Sequence, residues 1–287
     1  MDIGIGIPNT VPGASGPQLL DWARRADAAG FSSLATIGGV SYPGYEELTV
    51  FAAAAAVTER IRVMPNVLIA PARSTAELAK QAITVDHISG GRLTLGLGVG
   101  WRATDYQLTG RDFATRGERF DQQLRELQSA WAAEPLTEGT REVAPRPVQQ
   151  PGVPLVIGGL ADASFRRVAE FGEGWTSGGL PPDMVADVVP KVQAAWSERG
   201  REGKPRIVAL AYFSLGDTEA TSREYLLDYY QPLGSETAEM IAGSALRSPD
   251  AITAAVGAYA DAGVDELMLD PTVPDPEQVD LVAEVVL

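Results

Sequence analysis

Side-chain chemistry is scarce in this chain. It has a single histidine, no cysteine, and only Lys80, Lys191 and Lys204 as lysines. Disulfides, thiolate metal sites and cysteine nucleophiles are therefore excluded, and a Ser-His-Asp arrangement would depend on His87 alone. His87 lies inside a helical pattern ending at Ser89, where a surface or packed histidine is expected. The lysines fall on helical patterns or in polar loops, which disfavours a Schiff base. No EF-hand or HExxH spacing occurs. The chain offers backbone instead. Gly98-Val99-Gly100 and Gly158-Gly159 each follow a short apolar run, so peptide groups there can approach a ligand with no Cβ in the way.

The elements that must position these glycines are clearest between Arg60 and Trp101, RIRVMPNVLIAPARSTAELAKQAITVDHISGGRLTLGLGVGW. Residues 60–69 are rich in Val, Leu and Ile, as in a strand buried on both faces. Ser74 and Glu77 predict a capping box for a helix bearing Leu78, Ile83, Val85 and Ile88. Gly90-Gly91 stops that helix, and 92–97 begins the next buried run. Further strands are expected at 2–7, 31–37, 155–157, 174–176, 206–215 and 264–269, with helices between them. Residues 101–106 read as a turn, and 231–245 has no clear assignment. The Pro-rich stretch at about 134–153 reads as a long loop, so one domain spanning 1–287 is expected. Strands alternating with helices predict an α/β fold with parallel pairing. A closed (β/α)8 barrel or an open doubly wound sheet would satisfy that, and a count of eight strands favours closure.

A formal net charge of −15 argues against nucleic acid and anionic membrane surfaces as partners. With no long apolar run and no basic-then-apolar start, a soluble, cytoplasmic protein is expected. The charge also repels any anionic cofactor, whose phosphate would need backbone N–H groups or a few local arginines.

Four segments in order carry a family likeness: AGFSSLATIG at 29–38, the 60–101 stretch, PRPVQQPGVPLVIGGLADASFRRVAEFGEGW at 145–175, and AYADAGVDELMLDP at 258–271. With them, nearly the whole chain resembles the bacterial luciferase-like flavin monooxygenases and the coenzyme F-420-dependent oxidoreductases. The resemblance implies a TIM barrel that binds reduced FMN or F-420 and acts on a small organic substrate by hydride transfer or oxygen insertion. It also implies a homodimer, with the Ala-rich stretch 52–56 near the contact, and a flavin reductase as the source of reduced cofactor. Asn66-Val67 matches the place of a non-prolyl cis peptide against the flavin ring, an ordinary strand end being the alternative. Gly98, Val99 and Gly100 match the mouth beside the isoalloxazine. Gly158, Gly159 and Leu160 match the loop at the ribityl phosphate, where a helix N-terminus supplies N–H donors. Trp175 and Thr176 match the next strand end.

Departures from the family pattern restrict the chemistry. Gly38-Gly39 stands where many relatives carry Asp-His, and Trp101 where the sugar-phosphate dehydrogenase branch has glutamate. The long insertion of the larger monooxygenases is missing, which implies a more open mouth. Remaining candidates near the mouth are Tyr42, Tyr45, Arg73, Asp105 and Tyr106, with Tyr42, Arg73 and Asp105 as weak catalytic candidates. A structural salt bridge for Arg73 and a solvated surface for Asp105 are the competing readings, and Arg166 and Arg167 read as structural ion pairs. A non-catalytic flavin-binding carrier and a non-flavin barrel enzyme remain the alternative functions.

Overall fold

In the computed structural model, which describes residues 1–287, parallel strands close into a barrel with helices outside. The strands are β1 (Asp2–Gly6), β2 (Ser33–Thr36), β3 (Arg62–Pro65), β4 (Leu68–Ile69), β5 (Leu95–Gly98), β6 (Leu155–Gly158), β7 (Gly174–Thr176), β8 (Arg206–Phe213) and β9 (Glu266–Pro271). They pair in the order β3-β2-β1-β9-β8-β7-β6-β5-β4. Its two ends, β3 and β4, are pieces of one barrel strand parted at a cis Asn66–Val67 peptide. Val63 receives a backbone bond from Thr94 and donates one to Arg92, both 3.0 Å, which joins β3 to the β5 segment and shuts the seam. The fold is a (β/α)8 barrel, and the open-sheet alternative is excluded.

The helices are α1 (Gly16–Ala29), α2 (Glu47–Ala56), α3 (Thr75–Ser89), α4 (Ala103–Leu108), α5 (Arg116–Trp131), α6 (Asp162–Phe171), α7 (Pro182–Glu198), α8 (Glu219–Tyr230), α9 (Ser235–Ser244), α10 (Pro249–Asp261) and α11 (Glu277–Val286). Two segments differ from expectation: the turn at 101–106 runs into α4, and the unassigned 231–245 contains α9. The predicted capping box also fails. Ser74 occupies the N-cap of α3 but makes no side-chain cap bond, and Glu77 lines a polar recess with Arg73 and Arg111. Ser248 does cap α10, accepting from the Ala251 N–H at 3.2 Å. No helix is long and apolar enough to cross a membrane.

Two cores hold the barrel. An outer shell packs strands against helices and includes Trp22, Phe51, Phe120 and Trp175. An inner core of Ala35, Met64, Val156, Val208, Leu210 and Met268 fills the barrel itself. The interior is lopsided: β3, β8 and β9 supply the large side chains, while β1 and β5 supply glycines. A Cβ on Gly4 would lie 2.3 Å from the Met268 sulfur, so that glycine makes room for methionine from the neighbouring strand.

The amino end of the barrel is closed by a buried charge. Glu266, 1% exposed, accepts from Ser33 at 2.7 Å and from Ser32, pairs with Arg206, and lies 3.7 Å from Arg62. Removing one partner of a buried pair strands the other, but Arg206 and Arg62 keep access to water, so the usual penalty must be discounted. Glu266→Ala is expected to lower unfolding stability by about 2 kcal/mol in urea titrations. A change below about 0.5 kcal/mol, the ordinary surface range, would contradict this account.

Candidate active site

At the carboxyl ends of the strands, Asn66 and Val67 form an inward bulge. The Asn66 amide oxygen accepts from the Thr176 hydroxyl at 2.7 Å, linking the end of β3 to β7, while its buried Nδ2 has no partner. Val67 covers β5 and β6. A Cβ on Gly98 would stand 2.8 Å from Val67 Cγ2, and one on Gly158 would stand 3.1 Å from Cγ1. These two glycines therefore make room for the valine, and the valine takes the place expected for a ligand against bare backbone.

Above the bulge lies a cavity of about 320 Å³. Asn66, Val67 and Ile69 line its base, and the loop Ser177 to Leu180 contributes one side. Trp101, Tyr212, Tyr229 and Tyr230 supply an aromatic side. Trp101 stacks on Tyr230 with centroids 6.1 Å apart and planes at 19°. The Tyr212 and Tyr230 hydroxyls are hydrogen-bonded at 2.5 Å. Burial raises the pKa of Tyr212, Tyr229 and Tyr230 above the ordinary phenol value, so all three are neutral near pH 7. Arg102, 5% exposed, lies over the faces of Trp101 and Tyr229, 4.2 and 4.1 Å from their centroids.

Two recesses adjoin this cavity. A polar one of about 400 Å³ includes Tyr42, Tyr45, Glu47 and Arg73. There Arg73 bridges Glu46 and Glu47 at 2.7 Å each, and burial pushes the Glu47 carboxyl up despite the guanidinium beside it. An apolar one of about 210 Å³ shares Leu210, Tyr212 and Ile241 with the main cavity and continues to Pro181, Met240 and Leu246.

A barrel with this bulge and mouth matches the luciferase-like monooxygenase family over residues 1–284. The chain belongs to that family. It is 30% identical over 236 residues to the 4-hydroxyprotoasukamycin monooxygenase of Streptomyces nodosus subsp. asukaensis, covering 76% of this chain and 62% of that one. Its fold aligns with an F-420-dependent secondary alcohol dehydrogenase in complex with an F-420–acetone adduct, with a TM-score of 0.81 at 16% identity over 99% of this chain and 98% of that one. It aligns as well with the oxygenating constituent of 3,6-diketocamphane monooxygenase from Pseudomonas putida, in complex with FMN, with a TM-score of 0.76 at 19% identity over 100% and 97%. At such identities the structural likenesses establish the luciferase-like barrel.

Within this luciferase-like barrel the expected site residues separate into groups. Asn66, Val67 and Gly100 line the cavity, whereas Gly98 and Gly158 lie under Val67. The Val99 carbonyl accepts from the Tyr106 hydroxyl at 2.6 Å. Gly159, with φ of 122°, and the half-exposed Leu160 lead into α6, whose N-cap Ala161 makes no side-chain bond. Trp175 is core: it packs on Phe165, and its indole donates to the Gly159 carbonyl at 2.8 Å. Thr176 acts through Asn66.

Arg73 is committed to its two glutamates, so the salt-bridge reading holds. Tyr42 donates to Asp228 at 2.8 Å and sits in the polar recess. The solvated-surface reading of Asp105 is overturned. It is fully buried and accepts from the Ser41 N–H and hydroxyl at 2.7 Å each, anchoring the loop after β2. Arg166 and Arg167 pair with Asp121, His87 bonds the Arg146 carbonyl from the surface of α3, and Lys80, Lys191 and Lys204 are exposed. Sequence reasoning missed Arg102, Tyr212, Tyr229 and Tyr230. No local pattern marked them: Tyr229 and Tyr230 pack on the same core and line the same cavity, which only the fold brings beside Trp101 and Tyr212.

Proposed function

We propose that this chain is a flavin- or deazaflavin-dependent oxidoreductase that binds FMN or F-420 at the barrel mouth. It acts on a small organic substrate by hydride transfer or oxygen insertion. The observation carrying this reading is the aromatic-walled cavity over Asn66 and Val67. Its donors suit a flat heteroaromatic ring: the buried Asn66 Nδ2 lacks a partner, and Val67 and Ile69 offer an apolar surface. The open first turn of α6 beyond Gly159 would hold the phosphate through backbone N–H groups, which answers the repulsion from a charge of −15. The cofactor supplies the redox chemistry when bound.

The protein's own share is positioning and electrostatics. Trp101, Tyr229 and Tyr230 wall the cavity, and burial keeps Tyr212 and Tyr230 protonated. Where many relatives carry Asp-His, a Cβ on Gly38 would sit 2.3 Å from the Glu47 carboxylate, so that space is filled from α2. Homodimerisation near α2 and supply of reduced cofactor by a separate reductase belong to the same reading. The missing Asp-His pair favours one second reading, a non-catalytic flavin carrier.

Reduced FMN and reduced F-420, titrated separately into the protein and followed by fluorescence, are the test. Saturable binding of one, followed by turnover, is expected. Tight binding without turnover would favour the carrier, and binding of neither would remove the cofactor assignment.

A further inference from the structure

We propose that Arg102 receives a carboxylate of the substrate, on an organic molecule whose apolar body extends into the recess beside the mouth. This deepens the reading above, resting on the mouth as the place where substrate binds.

The first observation is an unbalanced charge. Arg102 is 5% exposed and forms none of the chain's ion pairs. Its Nη2 donates to the Tyr229 carbonyl at 2.6 Å, and neither Nε nor Nη1 makes a hydrogen bond. Arg167, equally buried, is neutralised: its Nε meets Asp121 at 2.7 Å and its Nη2 meets the Gly117 carbonyl at 2.9 Å. Arg73 has two carboxylates. A nearly buried guanidinium with no carboxylate in contact and two spare donors open to the cavity is a ready partner for an anion.

The second observation is geometry. The rings of Trp101 and Tyr229 hold the guanidinium plane, so its fork is oriented before any ligand binds. Nη1 takes the space above Gly39, where an added Cβ would approach it to 3.0 Å. In this chain the glycine that departs from Asp-His therefore admits a fixed cation from the loop after β5. Asp105 flanks the same glycine: Ser41 holds its Oδ1, its buried Oδ2 has no hydrogen-bond partner, and neither oxygen comes within ion-pair distance of Arg102, so the guanidinium fork stays open to a ligand.

The third observation is the shape of the neighbouring space. Arg102 lines the 320 Å³ cavity, and the 210 Å³ recess opening beside it is walled by Pro181, Leu210, Met240 and Leu246. A cationic point next to an apolar slot suits an amphiphilic acid. The cofactor phosphate is the other anion the mouth could meet. Its expected place after β6 lies three strands around the barrel from β2, over whose end Arg102 sits.

Calorimetric titration of naphthoate and its neutral isostere naphthamide tests the proposal without any cofactor. Naphthoate is expected to bind the wild-type protein at least about tenfold tighter, the scale of one charge-assisted hydrogen bond. Arg102→Gln should erase the preference and Arg102→Lys should keep part of it, with thermal unfolding confirming that both variants fold. Equal affinities, binding of neither probe, or a preference surviving in Arg102→Gln would overturn the proposal. Reduced FMN and reduced riboflavin, titrated into both proteins, separate the two anions. An unchanged ratio between them supports the substrate assignment, and a selective loss of FMN affinity gives Arg102 to the phosphate and overturns it. If naphthoate preference holds while neither cofactor binds, the redox reading fails and this site stands. The reverse pattern sinks this site alone.

Discussion

Gly96→Ala is expected to destabilise the barrel by roughly 3 kcal/mol or more, the upper range for overpacking. An added Cβ would stand 1.9 Å from the Pro65 carbonyl oxygen and 3.1 Å from its carbon. Those atoms are backbone, so no side chain can rotate away. Gly96 is also paired in register with Val156 of β6, which prevents β5 from retreating on that side. Any relief must come from moving the segment that carries Asn66 and Val67, so cofactor affinity should fall with stability. The measurement is urea unfolding at constant pH, with Gly257→Ala as the opposite case. Gly257 lies inside α10 with nothing within 4 Å of its added Cβ, and alanine there should stabilise by about 0.5–1 kcal/mol. A Gly96→Ala protein as stable as wild type would refute the account of how β3, β4 and β5 fit together.

Asp270→Asn is expected to change how stability depends on pH. Asp270 ends β9 inside the barrel, 2% exposed, and its Oδ1 has no hydrogen-bond partner. A Cβ on Gly6 would fall 1.9 Å from that oxygen, so the carboxyl is enclosed by backbone. Its ionisable neighbours are Tyr212, Tyr225, Tyr229 and Tyr230, which also favour staying neutral. Burial holds its pKa well above the ordinary value of 3.8. The sign follows from proton counting. Below 3.8 both folded and unfolded chains keep the proton, and the group contributes nothing to pH dependence. Above it the unfolded chain releases the proton while the folded one retains it. Unfolding free energy then falls by about 1.4 kcal/mol per pH unit until the folded value is reached. Asparagine removes this term. The variant's stability relative to wild type should rise steadily from pH 4 upward, measured by urea titration at each pH. A difference that does not vary with pH would mean that the carboxyl ionises normally in the folded protein.

Elements buried on both faces were legible because burial writes directly into composition. The runs at 2–7, 155–157, 206–215 and 264–269 are mostly apolar, and each holds a barrel strand. The run at 60–69 was also legible as a strand, but composition does not record peptide geometry, so its division at Asn66–Val67 was visible only by resemblance. Ser74 and Glu77 had the spacing of a capping box, and the box does not form. Gly98 and Gly158 were marked as places where a ligand meets bare backbone. What approaches is Val67, from a strand about thirty to ninety residues earlier in the chain.

The barrel mouth was the least legible part. Asp105 looked like a surface acid because its partners, the Ser41 N–H and hydroxyl, are 64 residues away. Arg102 gave no signal, since the Tyr229 carbonyl that fixes it is 127 residues distant. The amino-acid sequence alone determined the alternation of strands and helices, the closed barrel it favours, the family, and the glycines that mark the strand ends. The first, second and last depend on local composition and short-range order, and the family on the likeness of four segments in order. Only the tertiary structure decided which side chains meet at the mouth: Val67 over the glycines, three tyrosines and a tryptophan on one side, and a guanidinium with no carboxylate in contact. Those meetings join strand ends, a loop and a helix that lie far apart in the chain, and barrel closure brings them together.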